Sequence, residues 1–451
     1  MIPSPRACLF WLAALLAASA LALHLPGEVS FDSSVQLLEA QTGVSRSWNP
    51  PFMSALLQWF GGGTQAMSIF VIACTLLTYG GLALALGTED RAGPLSSLRI
   101  AASTLVLANP VIVLYVGIVW KDVLFAALLC FACGASVAAA RSTRAQLRIV
   151  LALAACIALV LAGHVRQQGL FLLPLLVLCP LFALSGDERP GVKVILGWVA
   201  LACVLFLAIE SWTNGRIAHQ EGGDRDRGLR NMLTFDILGT AAMAGSTIAG
   251  VDATPEAIRR AYSPARIDTL SRERPLGRQL RKKNKAALLD LWLQSVSDNP
   301  RSFIRHRLAV ASRVLGLKGL HQCLPVHLGI GGDAAALAQV GLQSGFDRRD
   351  QWMYQASLPL HWTPWFRHYA TLAGTSLLAF CAWRRRRATE ALVVLWFSLC
   401  MVAYAAFTSA LAIACDFRYL YPVVTVASAC ALGLLGTPAP TASLTASRPF
   451  S

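Results

Sequence analysis

Apolar runs of about twenty residues recur along this chain, and they constrain its fold more than any other feature. A helix crossing a hydrocarbon layer of about 30 Å needs about that many residues, and inside the layer every backbone polar group must find its partner within the protein. The runs fall near residues 7–25, 65–86, 95–120, 123–140, 170–184, 192–209, 369–383, 388–414 and 420–435, and a further one ends near Gly163. Only 14% of the residues are charged and 55% are hydrophobic, whereas a soluble domain carries about 25% charged residues. The expected fold is therefore an all-α polytopic membrane protein with about ten transmembrane helices. Pro110, inside the third run, is expected to kink or break it.

The same runs divide the chain. Residues 1–211 form an N-terminal transmembrane module with a first polar loop, and residues 212–365 form a large polar section with amphipathic pieces near 285–296 and 302–317. Residues 366–436 supply the C-terminal transmembrane helices, and 437–451 form a tail rich in Pro, Ala, Ser and Thr, expected to be cytoplasmic. The short turns at 384–387, at Arg141, Arg144 and Arg148, and at 187–193 fall on one side by alternate counting. The excess of Lys and Arg there marks that side as cytoplasmic. The triplets Ala18-Ser19-Ala20 and Ala20-Leu21-Ala22 are similar to a signal-peptide cleavage site; whether the run is cleaved or retained, the polar loop after it is exported. A formal charge of +15 suits loops facing anionic lipid and does not point to nucleic acid. Most of the 12 cysteines sit in apolar runs as small hydrophobes. Cys130 and Cys133 form a C-x-x-C without a second pair, which reads as packing rather than a zinc site. Cys323 and Cys415 both fall outside on this topology, where a disulfide is compatible.

Polar outliers then become informative. Trp120-Lys121-Asp122 lies between two apolar stretches, and ionised groups there must sit at a border, pair, or line a wet cavity. Trp120 suits a headgroup border. Three further clusters share its side by the same counting: Phe31-Asp32, the stretch from His164 to Gln168, and the stretch from Asp416 to Tyr419. Four such clusters on one face suggest a shared aqueous site. Asp32 could accept a proton from an attacking hydroxyl, or simply cap a helix through 35–40. Glu39 reads as a solvated helix face. Lys121, Arg166 and Arg418 could together hold a phosphate, through a compact charge and two planar forks of donors. Asp122, His164, Gln167 and Tyr419 could contact the rest of a substrate; ion pairing, snorkelling and interface anchoring explain them equally well. Gly329-Ile330-Gly331-Gly332-Asp333 is loop-like without the strand–helix frame that a phosphate loop needs.

On these residues the chain resembles the GT-C membrane glycosyltransferases, which use polyprenyl-phosphate-linked sugars, and within them a poorly characterised bacterial branch. The resemblance rests on Phe31-Asp32-Ser33-Ser34 in the first loop, Trp48-Asn49-Pro50-Pro51 after it, Trp120-Lys121-Asp122, Arg166-Gln167-Gln168-Gly169, and Asp416-Phe417-Arg418-Tyr419 before the last run. It implies a GT-C-like arrangement of helices with a large extracytoplasmic loop domain, in the bacterial cytoplasmic (inner) membrane. It further implies transfer from a polyprenyl-phosphate sugar, such as an undecaprenyl phosphate donor, to a glycan, lipid or protein acceptor outside. Asp32 would be the general base, and Lys121, Arg166 and Arg418 would contact the donor phosphate. One Asp stands where an adjacent acidic pair is usual, and Asn49 where His is often found before Pro. The resemblance implies no certain cofactor, and use of a divalent cation stays open. A transporter or flippase, an O-antigen ligase or polymerase, and a membrane scaffold without chemistry are the alternatives; ionisable groups at span ends and the lack of an internal repeat weigh against the transporter.

Overall fold

A computed structural model describes residues 4–87, 96–186, 190–219 and 226–436. Residues 88–91, where the charged run between two apolar stretches marks a turn, residues 187–189 of the turn expected at 187–193, and the tail 437–451 lie outside the described residues. Helices dominate. The first stretch gives α1 (Pro5–His24), α2 (Phe31–Thr42), α3 (Phe52–Trp59), α4 (Gly63–Leu86), α5 (Ser97–Leu107) and α6 (Pro110–Tyr115). Next come α7 (Lys121–Arg141), α8 (Ala145–Val165), α9 (Gln167–Leu176), α10 (Leu178–Ser185) and α11 (Val192–Arg216). The polar section holds α12 (Arg227–Ala244), α13 (Pro255–Ala261), α14 (Arg274–Lys282), α15 (Lys285–Asp298), α16 (Pro300–Val314), α17 (Ala334–Gln339) and α18 (Arg348–Ser357). The chain closes with α19 (His368–Arg384), α20 (Thr389–Leu411) and α21 (Tyr421–Leu435).

Among the described residues, nine helical segments are long and apolar enough to cross a membrane. The difference from about ten is α19, which at 17 residues is shorter than these nine. It packs beside α20 and α21, and at about 26 Å it falls at the lower limit for a spanning helix. The third expected span breaks where Pro110 demands it. Asn109 accepts from the N–H of Val111 and starts α6 there, so α5 and α6 are separate helices. Trp212, expected to open the polar section, still belongs to α11.

Burial along the spans says which of them form the core. For α7, 83% of the apolar window is buried, against 11% for α11. α7 is therefore the central post, packed against α4, α8, α20 and α21, while α11 stands at the rim. α4 and α7 cross closely because Gly81 meets Gly134: a Cβ on Gly134 would lie 1.9 Å from the Gly81 carbonyl oxygen. Close backbone approach of this kind adds packing where lipid offers no hydrophobic drive.

The two ends of this bundle differ. At one end the Arg141 guanidinium donates to the carbonyls of Ala85 (2.8 Å) and Gly433, joining the tails of α4, α7 and α21. Arg385 donates to the carbonyl of Leu434 there. At the other end lie Lys121 and Asp122, the first loop and the polar section. That section has its own small core, which includes Leu233, Ile237, Ile258 and Leu288. It is stitched to the bundle by backbone bonds from Ile267 to Ile413 and from Cys415 to Ala265, and by a disulfide between Cys323 and Cys415. Two short strands, β1 (Val44–Ser45) and β2 (Ala218–His219), pair in parallel and tie the first loop to the end of α11.

Candidate functional site

Asp32 is fixed by what precedes and faces it. After α1 the backbone of Glu28 pairs with Gly117 and Val119, and that of Val29 pairs with Gly329 and Gly331. The Gly329 stretch is thus a backbone partner of Val29, and Asp333 caps α17; Gly329 has a φ of 78°, and a Cβ on Gly332 would lie 2.5 Å from Ser34 Oγ, which accounts for these two glycines without a phosphate. Ser30 starts α2 through reciprocal contacts with Ser33, so Asp32 is not the cap; it sits in the first helical turn. Ser33 Oγ donates to the Val119 carbonyl (2.6 Å) and Trp120 Nε1 donates to Ser30 Oγ (2.6 Å). These bonds hold the Asp32 turn against the Trp120-Lys121-Asp122 turn. Trp120 is 3% exposed, so it is not a headgroup anchor: its N–H is used inside the protein.

Arg418 arrives from the far end of the chain. Its Nη1 donates to Asp32 Oδ2 at 2.7 Å, and the guanidinium lies 4.9 Å from the Trp120 ring centre and 5.6 Å from that of Tyr419. Asp416 lies 3.5 Å from Arg418, and Arg266 of the polar section pairs with Asp416 at 2.7 Å. Arg266 and the disulfide at Cys415 hold the Arg418 segment from outside the bundle, and neither role is marked by a motif. Burial alone would raise the Asp32 carboxyl; the charges of Arg418, Lys121 and Arg227 outweigh it and hold the group below its ordinary range. At Asp416 burial wins, and its carboxyl is raised despite Arg418 and Arg266.

The other two cations stand on the neighbouring turns. Arg166 occupies the break between α8 and α9, ion-paired with Asp122 and donating to Gln168 Oε1 at 3.2 Å. Both partners of that pair are buried, so removing one leaves an uncompensated charge and costs about 3–5 kcal/mol. Asp122 is thereby engaged in holding Arg166. Tyr419 places its ring centre 5.9 Å from the Arg166 guanidinium and so lies between two of the arginines. Tyr421 stacks on Tyr115 in the core, with ring centres 4.9 Å apart. Lys121 donates to Asn49 Oδ1 and lies 4.9 Å from the Trp48 ring centre.

The wall carrying Trp48 and Asn49 owes its shape to Glu39. Read from sequence as a solvated face, Glu39 is fully buried. It accepts from the N–H groups of Arg46 and Ser47 and from the hydroxyl of Ser54. The loop folds back over α2, and this carboxylate satisfies its turn. Gln167 donates to the Trp48 carbonyl at 3.4 Å. His164 turns its Nε2 to the Phe206 carbonyl at 3.1 Å and its Nδ1 to Glu210 at 3.3 Å. Glu210, inside α11 just past the apolar run expected at 192–209, was not expected among the site residues.

A cleft of 330 Å³ lies where α8, α9, α11 and the first loop meet; Trp48, His164, Arg166, Gln167, Phe206 and Glu210 are among the residues that line it. Asp32, Lys121 and Arg418 stand beside it without lining it; Lys121 reaches it through Asn49. The structure thus brings Asp32, Arg418 and Lys121 into one electrostatic group, with Arg166 and Asp122 adjoining it and His164 and Gln167 on the cleft wall. Among the described residues no group of three or more His, Cys, Asp or Glu is arranged to hold a metal ion. No family model, no curated protein and no solved structure matches the chain.

Proposed function

We propose that this protein is a membrane glycosyltransferase that moves a sugar from a polyprenyl-phosphate donor to an acceptor outside the cytoplasmic membrane. The observation that carries the reading is the contact between Asp32 and Arg418, with Lys121 close enough to act on the same carboxylate. A carboxylate facing cations suits displacement at an anomeric carbon. Asp32 takes the proton of the acceptor hydroxyl as its oxygen bonds to that carbon. The bond between that carbon and the phosphate oxygen breaks, and the added negative charge on the leaving phosphate is met by Arg418, Lys121 and Arg166. Before the donor arrives, Arg418 is held by Asp32. A phosphate competing for the guanidinium weakens that pair and leaves the carboxylate a stronger base.

The orientation is supported from both ends of the bundle. The basic end around Arg141 and Arg385 suits the cytoplasmic side. The disulfide between Cys323 and Cys415 adjoins the Arg418 segment, and disulfides persist in oxidising compartments. The test is a deletion strain complemented with wild type or Asp32→Asn, with lipid-linked sugars and surface glycan measured together. Accumulated donor and a missing glycan branch are expected with Asp32→Asn. Normal glycan on normally expressed variant protein would overturn the reading. A flippase would instead leave its lipid-linked substrate on the cytoplasmic leaflet, which leaflet-selective labelling distinguishes.

A further inference from the structure

We propose that the cleft between α8, α9 and α11 is a glycosyl phosphate subsite, with Arg166 on the phosphate and Glu210 on the hydroxyls of the sugar ring. The inference deepens the glycosyltransferase reading and rests on it for the identity of the donor, but the cleft's chemistry stands by itself. A guanidinium and a carboxylate line one 330 Å³ space, and an indole, a benzyl ring and an imidazole line it with them. That volume suits a hexose with its phosphate rather than a long lipid tail. The two lining charges differ in sign. They fit a molecule with an anionic end, met by the fork of Arg166, and a hydroxylated end whose donors need an acceptor.

Glu210 is that acceptor. Its Oε1 takes a hydrogen bond from Asn214 Nδ2 at 3.2 Å, and its Oε2 faces His164 Nδ1 at 3.3 Å. A carboxylate has about four lone-pair positions, so capacity remains for a ligand. His164 faces two acceptors, the Phe206 carbonyl and Glu210, and a neutral imidazole donates to only one of them. A sugar hydroxyl donating to Glu210 would supply what the imidazole cannot. The Glu210 side chain is 48% exposed inside α11, which continues to Arg216, whereas His164 behind it is 3% exposed and stacked on Phe206 with ring centres 4.0 Å apart. The imidazole is thus fixed and the carboxylate is accessible, an arrangement suited to reading a ligand.

The position of the cleft adds direction. Gln167 and Asn49 link it to Trp48 and Lys121, and Lys121 acts electrostatically on Asp32. Arg166 is the one residue of the cation group that also lines the cleft, so a phosphate held by it stands where the cleft meets that group. Leu170, 47% exposed, lines the cleft next to Phe171 at 67%, so it adjoins the membrane-facing surface from which a lipid phosphate would approach.

The test uses the full chain purified in detergent and measures affinity for inorganic phosphate, glycerol 3-phosphate and a panel of hexose 1-phosphates and N-acetylhexosamine 1-phosphates. At least one sugar phosphate is expected to bind about tenfold tighter than inorganic phosphate. Glu210→Ala is expected to erase that advantage while leaving inorganic phosphate unchanged, and Glu210→Gln to keep part of it through its carbonyl. Thermal unfolding of both variants checks that they fold. Sugar phosphates no tighter than inorganic phosphate, an advantage that survives Glu210→Ala, or no binding by any probe would overturn the subsite. Equal binding of glycerol 3-phosphate would assign the cleft to a phospholipid headgroup and overturn it too. The glycan assay of Asp32→Asn fails independently: a sugar advantage lost in Glu210→Ala beside normal glycan in Asp32→Asn would keep the subsite and remove the transferase reading.

Discussion

Asp32 and Asp236 both face arginines at the same end of the bundle, yet they are built for different work. Asp236 is 2% exposed and holds three partners: Arg307 at 2.6 Å, Trp292 Nε1 at 2.9 Å and His306 Nε2 at 3.1 Å. His306, itself unexposed, turns its other nitrogen to the Tyr262 hydroxyl at 2.9 Å. Arg307 continues to the Ala412 carbonyl, so the network ties the polar section to the end of α20. Asp32 is 36% exposed and holds one guanidinium, itself shared with Asp416. An acid–histidine–tyrosine chain is the more suggestive constellation on paper. Accessibility reverses that ranking: a buried, closed cluster stabilises, and an open one can exchange partners.

That contrast can be broken by experiment. Asp32→Asn is expected to lower transfer by about 10²–10⁴-fold with little change in thermal stability, because it removes a proton acceptor and leaves the packing. A rate close to wild type in a reconstituted transfer assay would put Asp32 with the structural carboxylates. Asp236→Ala is expected to destabilise by about 3–5 kcal/mol, since it leaves Arg307 unpaired near the end of α20. Unchanged thermal unfolding with reduced turnover would assign chemistry to the closed cluster instead.

Replacing Cys323 and Cys415 together by Ser is expected to cost about 2–4 kcal/mol of stability. The Asp416–Arg418 segment then loses its tether, so KM for the donor should rise more than kcat falls. The smallest effect is in pH dependence. A carboxyl held below its ordinary range stays ionised, and so able to accept a proton, to lower pH; the rate falls only as pH drops through that depressed value. Arg418→Gln removes the largest of the lowering influences and leaves burial, so the acidic limb of the rate profile should move to higher pH. A limb that stays in place would uncouple Asp32 from the rate.

The spans were legible because apolar length is a local property, and Pro110 broke its helix as a missing N–H requires. The four polar clusters were legible as a group through alternate counting. Their individual contacts were not. Glu39 looked solvated because its partners, Arg46, Ser47 and Ser54, reach it only when the loop returns over α2. Trp120 looked like a membrane anchor because nothing local reveals that Ser30 accepts its N–H. Glu210 carries no local signal, because His164 and Trp48 join it at one cleft only through the packing of α8, α11 and the first loop.

The amino-acid sequence by itself determined that this chain forms apolar helices of membrane-spanning length, and which charged residues stand at their ends, since both follow from hydropathy within a few turns. Tertiary structure alone decided that Asp32 meets Arg418 across a separation of 386 residues, and that the Asp236 cluster closes upon itself. Ion pairs and cavities depend on how helices pack, and packing is settled by contacts between residues that share no local pattern.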